Sequence, residues 1–300
     1  MKKDFQQLPS TATPMPYSVA SVGDLPRSLQ QAASHVLGLT GRPLSIFVIP
    51  ATTRMKNWYG WERAPEQALL FTDEGVAHLQ AISAEDARPV YLKAANLRST
   101  CLSLILMNGR LELVDDCLSR VVVEFNAGGF ELLQPGLQIL LLSSCRGSSI
   151  LPSPVPLAET VLEDIEKISY KYRNGLALYA LLPGEQLLGF VYQPAIWKKR
   201  WGLFSSRVTD ATLLATTDKQ LIVVEQRSNS RFPAYGWIFT FCPRTFIQKI
   251  GISSQEPWRE LRIEMCMRAG SLDKRILLEH QNVLRWENLW LKFGLPGHPK

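Results

Sequence analysis

The residues most able to do chemistry by type and spacing are Trp197-Lys198-Lys199-Arg200-Trp201, three cations held between two indoles. Ammonium and guanidinium groups attract anionic lipid headgroups, and indole rings settle at the boundary between polar and apolar layers. Each basic residue beside an anionic surface contributes about 1 kcal/mol. Three of them give weak, salt-sensitive adsorption rather than anchoring. A thinner version occurs upstream, with Arg54, Lys56, Trp58 and Trp61. A simpler reading competes with greater weight: a solvated hairpin with its Trp residues turned inward and its Lys residues in water, since charge runs usually mark exposed faces. Interleaved aromatics could also stack nucleic-acid bases. With no helix-turn-helix, zinc-finger or RRM signature, nucleic acid ranks below a membrane or a protein as partner.

Reactive chemistry finds less support. The four histidines (His35, His78, His280, His298) show neither H-x-x-x-H nor H-E-x-x-H spacing, and no G-x-S-x-G, P-loop or G-x-G-x-x-G occurs. Asp73-Glu74 and Asp115-Asp116 read as solvated turns, because a metal would need more converging oxygens. The five cysteines (Cys101, Cys117, Cys145, Cys242, Cys266) are odd in number and lack C-x-x-C spacing. They read as buried or half-buried thiols of a reducing cytoplasm, not as a disulfide or zinc framework. The expectation is therefore no catalytic residue, no metal and no cofactor. An enzyme with no recognisable motif stays as an alternative, to be revived by a deep pocket with convergent polar groups.

These residues need elements to position them. At 46% apolar and 20% charged the chain reads as globular, with length for about two domains. No apolar run reaches the roughly 18–20 residues of a membrane span, and no apolar segment follows Lys2-Lys3, so a cytoplasmic protein is expected. The net charge of +6 resides in the second half, where residues 183–294 hold 16 Lys+Arg against 10 Asp+Glu.

The halves echo each other at a spacing of roughly 145 residues. LLFTDEGVAHL (69–79) matches LATTDKQLIVV (214–224), each a Thr-Asp corner before an apolar strand. Such a corner is closed by Asp bonding its own backbone. IFVIPATTRMKNWYGW (46–61) matches GFVYQPAIWKKRWGL (189–203). Helices are expected from Asp24 to near Gly41, with Leu25, Leu29, Ala32, Val36 and Leu37 on one face, and from Asp164 to Pro183-Gly184, with Ile165, Ile168, Tyr172 and Leu176. Late strands are expected at Val121–Phe125 and Ile276–Glu279. The second copy closes with a helix capped by Asn282, striped by Val283, Trp286, Trp290 and Phe293, and stopped by Gly294 and Pro296. Gly128-Gly129 and Pro135 should leave the first copy's terminal helix short, kinked or shifted.

This order of elements resembles the bacterial PH-like domains. The resemblance rests on Pro183-Gly184-Glu185, on Leu214 to Val224 and on Leu70 to Leu79, with Gly41-Arg42-Pro43 in place of the first motif in copy one. It implies an α+β, mainly β fold: two tandem modules, each a bent antiparallel β-sandwich or partial barrel with a preceding helix and a C-terminal helix. The expected parts are a polar lead-in (1–23), module 1 (24–145), a Pro-containing linker (146–163), module 2 (164–294) and a tail (295–300). The resemblance implies a non-enzymatic binding protein whose partner is another protein, through exposed sheet edges or the groove beside the C-terminal helix. The alternative is an anionic membrane, bound through the first hairpin of module 2.

Overall fold

A computed structural model describes residues 14–57, 60–83, 86–146, 158–200, 204–227, 236–255, 257–268 and 270–292. The first half begins with a short edge strand, β1 (Tyr17–Ser18), and helix α1 (Arg27–Thr40). Gly41 ends that helix at φ 84°, a backbone that favours glycine. Strands β2 (Ser45–Ile49), β3 (Thr52–Asn57), β4 (Gly60–Ala64), β5 (Gln67–Phe71), β6 (Gly75–Ala81), β7 (Ala87–Lys93), β8 (Leu97–Ile105), β9 (Asn108–Asp115) and β10 (Arg120–Asn126) follow, then helix α2 (Phe130–Ser144).

The second half repeats this order. Helices α3 (Ala158–Ile168) and α4 (Tyr170–Gly175) continue into a π-helical turn, Leu176–Ala180. Then come β11 (Leu187–Gln193), β12 (Ile196–Arg200), β13 (Phe204–Thr209), β14 (Thr212–Thr217), β15 (Gln220–Arg227), β16 (Gly236–Pro243), β17 (Ile247–Gln255), β18 (Trp258–Met267), β19 (Gly270–Leu278) and helix α5 (His280–Lys292). The fold is α+β and mainly β, built from antiparallel sheets that form no closed barrel among the described residues.

Strand pairing repeats as well as order. In the first half β2-β5-β6-β7 are neighbours, β8-β9-β10 form a second set, and β3-β4 is a separate hairpin. In the second half the sets are β11-β14-β15-β16, β17-β18-β19 and β12-β13. The halves are then joined by one further pairing. β8 lies antiparallel to β16, Ile105 opposite Gly236 through Thr100 opposite Phe241, giving the seven-stranded sheet β10-β9-β8-β16-β15-β14-β11. Alone, β8 and β16 would each be a sheet edge, and pairing them removes two rows of open backbone groups.

Alternation along the strands sets the layers. Ile46, Val48, Ala68, Leu70 and Leu79 face α1, meeting Leu25, Leu29 and Val36. Phe47, Leu69, Phe71 and Val76 face the other way, toward Leu102, Leu113, Val123 and the buried side of α2. In the second half Leu214, Leu221, Val223, Ile263, Trp286 and Trp290 fill the inner core. The opposite face, with Ala215, Ile222, Phe239 and Phe241, is covered by Ile165, Tyr172 and Leu176 in a core continuous with that of the first half. The Tyr172 hydroxyl donates to the carbonyl of Ala211 at 2.6 Å.

Several expectations need correcting. The first copy's terminal helix is not short: α2 runs 15 residues through Pro135, and Gly128-Gly129 lie in the 3-10 turn before it. Pro135 is the sixth residue of α2 and forfeits one intrahelical hydrogen bond, a loss offset by burial of Leu133, Leu137, Leu140 and Leu141. Helix α5 opens at His280, so Asn282 sits within its first turn rather than at its cap, while Gly294, Pro296, Phe293 and the tail lie outside the described residues. The second preceding helix starts at Ala158, inside the expected linker. It breaks at Ser169, which turns Ile168 out to solvent while Ile165, Tyr172 and Leu176 stay buried. Residues 1–13 of the lead-in lie outside the described set.

The corner motif also works differently. At Thr72 the side-chain oxygen accepts from the amides of Glu74 (3.3 Å) and Gly75 (3.1 Å). At Thr217 it accepts from those of Lys219 (3.2 Å) and Gln220 (2.9 Å). The threonine, not the aspartate, closes each turn. Asp218 instead accepts from the amide of Gln186 at 2.8 Å. Pro183-Gly184-Glu185 completes the second corner: Gly184 takes φ 71°, and the buried Glu185 carboxylate accepts from Thr217, from the Leu182 amide (2.8 Å) and from the Gln220 side chain (3.1 Å). Burial raises the pKa of that carboxyl, against the pull of these donors.

Candidate binding site

The basic-aromatic segment of the second half is a strand, not a loop. Trp197 to Arg200 belong to β12 and pair with Arg207 to Phe204 of β13. Trp197 is 54% exposed, so its indole does not pack inward as the simpler reading required. The Arg207 guanidinium lies 5.0 Å from the centre of its ring and is also ion-paired with Asp210. That cation–π contact holds the indole at the surface. Lys198 is exposed beside it. For Lys199 and Arg200 only the strand placement is described, and Trp201 lies outside the described residues. Arg54 and Lys56 likewise fall in β3, paired to β4, with only their strand placement described.

The remaining chemistry-bearing residues are scattered. His78 is buried, with Nε2 2.9 Å from Gln67 Oε1, and burial lowers its pKa to about 4. His35 and His280 are exposed on helices. Cys145 and Cys242 are buried and their thiols pushed up to about 12 by burial, whereas Cys117 and Cys266 are exposed, against expectation.

The Asp115-Asp116 pair is not a solvated turn. Asp115 Oδ1 accepts from the amides of Cys117 (2.9 Å) and Ser119 (2.7 Å). Asp116 is fully buried and its Oδ2 meets Arg268 at 2.8 Å and Arg98 at 3.4 Å, while Arg268 also donates its amide to the Asp116 carbonyl at 2.8 Å. Arg98 donates onward to the carbonyl of Cys266 at 3.0 Å and lies 3.6 Å over the Phe246 ring. These groups tie the β9–β10 turn of the first half to the β18–β19 turn of the second, so their chemistry is that of a clamp between halves. No family model matches the chain, and no curated protein matches it.

Open clefts among the described residues accompany these features. One of about 560 Å³ lies beside Arg27, Ser28, Arg63 and Glu66 in the first half. One of about 500 Å³ lies between α4 and β16, walled by Tyr170, Leu178, Tyr179 and Trp237. The groove beside the C-terminal helix is about 320 Å³, walled by Tyr192, Pro194, Gln281, Asn282 and Arg285. There Gln193 Oε1 accepts from the Glu279 amide (2.8 Å) and the Asn282 side chain (2.9 Å), locking α5 to the end of β11.

Sheet edges differ more sharply than clefts. Strand β8 is covered by β16, but among the described residues its counterpart β17 ends its sheet, with Gln248, Lys249, Ser253 and Ser254 exposed. Strand β7, the counterpart of β16, also ends its sheet and carries Arg88, Pro89 and Lys93 on exposed positions. Proline and charge are the usual guards of an edge strand. Strand β17 carries one such guard, Lys249, against three on β7; it has no proline, and at Gly251 an added side chain would meet nothing within 4 Å. Sequence periodicity could not single out β17, because edge status depends on which strands pair across the halves.

Proposed function

We propose that this chain is a non-enzymatic binding protein of two PH-like modules, whose partner is another protein supplying an extended segment to the edge of β17. The repeated order and pairing of strands, with a helix before and after each set, support the PH-like reading. The observation that carries the binding mode is internal: β8 receives an antiparallel strand from β16, while β17, which holds the same place in the second half, ends its sheet. Strand addition of this kind draws affinity from main-chain hydrogen bonds and selectivity from alternate side chains.

Displayed peptide libraries selected on the purified chain test this. Peptides whose binding disappears in Gly251→Lys, which places a charge on the edge, are expected. Recovered peptides indifferent to that change would refute the edge as the site, as would a selection yielding none.

A second reading is favoured by the exposure of Trp197 and Lys198: peripheral attachment to an anionic membrane through the β12–β13 hairpin. Salt-sensitive sedimentation with phosphatidylserine vesicles that Lys198→Glu abolishes would support it. Among the described residues no helix is long and apolar enough to cross a membrane.

A further inference from the structure

The turn between β8 and β9 has a composition that folding alone does not favour. Ile105 pairs with Asn108, so Leu106 and Met107 form a two-residue hairpin turn. Leu106 holds φ 53°, a left-handed conformation that suits glycine, and the two side chains are 66% and 60% exposed. Two-residue hairpin turns prefer Gly or Asn at such positions. Non-glycine residues in the left-handed region cluster at functional sites.

The surroundings say what the tip could meet. The turn is held in place, since the Met107 carbonyl accepts from the Ala127 amide at 2.9 Å. Across the shared sheet Ile105 is opposite Gly236, and Gly236 is opposite the exposed Arg227. Two strand spacings, about 10 Å, therefore separate a cation of the second half from the apolar tip of the first. The close approach depends on glycine, because a Cβ on Gly236 would fall 2.6 Å from Ile105 Cγ1. The β12–β13 hairpin leaves the sheet from this same end: the Gln226 amide donates to Ala211, just after β13, at 3.1 Å. Two acids at this end are ion-paired, Asp210 with Arg207 and Glu225 with Lys274. Lys198 and Arg227 pair with no acid among the described residues.

We propose that Leu106 and Met107 of the first module insert into an anionic lipid bilayer while Lys198 and Arg227 of the second module bind its headgroups. The proposal rests on the membrane reading of the hairpin for its charge and adds a membrane-inserting element from the other module. An exposed apolar pair at the end of the sheet that also carries two cations matches the layered chemistry of a bilayer surface, where apolar groups enter below and cations stay with the headgroups. Neither half holds both parts, so the surface exists only because β8 pairs with β16.

The test is co-sedimentation of the full chain with phosphatidylcholine vesicles, with and without phosphatidylserine, at low and high salt. The wild type is expected to bind the anionic vesicles at low salt. Leu106→Gly should weaken that binding about tenfold or more while raising the melting temperature, because glycine accepts the positive φ. Met107→Ser should weaken binding without altering the turn. Loss in Lys198→Glu but not in Leu106→Gly or Met107→Ser would keep the hairpin reading and overturn the insertion. Loss in the tip variants but not in Lys198→Glu would keep the insertion and remove the hairpin. A wild type that binds no vesicles at low salt would sink both and leave the tip as a protein contact.

Discussion

The two Thr-Asp corners solve one problem with different support. Thr72 and Thr217 both close their turns through the hydroxyl, but only Thr217 is backed by a buried carboxylate, Glu185. The contrast continues into the cores. Phe71 stands immediately before one corner and Thr216 before the other. The first half packs that Phe ring against α2 so closely that a Cβ on Gly136 would lie 2.2 Å from it, whereas the second half carries its bulk on the helix, as Trp286 and Trp290 with rings 5.8 Å apart. His78 occupies the place that Val223 fills in the second half. One strand order thus tolerates different divisions of volume and polarity, provided that each interior stays filled.

The strongest way to break this comparison is to remove the second half's helical bulk. Trp286→Ala should cost about 3–5 kcal/mol in urea unfolding, with α5 losing its hold on β18. A small effect would mean that the helix is dispensable to the core. The histidine sharpens the comparison through pH. Because burial lowers the folded pKa of His78 to about 4 from 6.5, its stabilising contribution is complete above pH 6.5 and is lost as the pH falls toward 4. The loss should approach about 3 kcal/mol, and His78→Val, the second half's residue, should flatten that limb of the stability profile.

The clamp between halves should matter less. Asp116→Ala removes a buried acceptor shared by Arg98 and Arg268, but Arg268 is 70% exposed and can turn to water. A loss of about 2 kcal/mol is expected, with unfolding of the halves ceasing to coincide when followed by separate probes. The corners give the smallest effect. Thr72→Val should cost about 1 kcal/mol, and Thr217→Val about 2 because Glu185 also loses a donor. Equal costs would show that the carboxylate adds nothing. Since the folded pKa of Glu185 is raised, its contribution is complete below the ordinary carboxylate range and falls as pH rises through that folded value. Glu185→Gln should flatten that decline.

Much of this was legible locally. The matched Thr-Asp corners located β5-β6 and β14-β15, and the apolar spacing in Leu29, Ala32 and Val36 and in Val283, Trp286 and Trp290 marked the buried faces of α1 and α5, although α1 opens at Arg27 and leaves Leu25 before it. The basic-aromatic segment was recognisable by composition, yet its strand geometry and the exposure of Trp197 were not. The Leu106-Met107 tip was hidden for a specific reason. Asn108-Gly109 is the better two-residue turn by local preference, but Gly109 is needed in β9, where a Cβ would lie 2.4 Å from the Phe125 ring. Packing therefore moved the turn two residues earlier, onto residues that local rules would reject.

By itself the sequence determined the helices that flank each half and the matched Thr-Asp corners, because helix period and corner chemistry act over a few residues and were written twice in the same order. Only the tertiary structure decided which edges meet: that β8 takes β16, that β17 ends its sheet among the described residues, that Asp116 reaches Arg268, and that an apolar tip and a cationic hairpin leave one sheet at one end. Those outcomes compare distant edges competing for the same backbone hydrogen bonds, and no local pattern encodes the result of that competition.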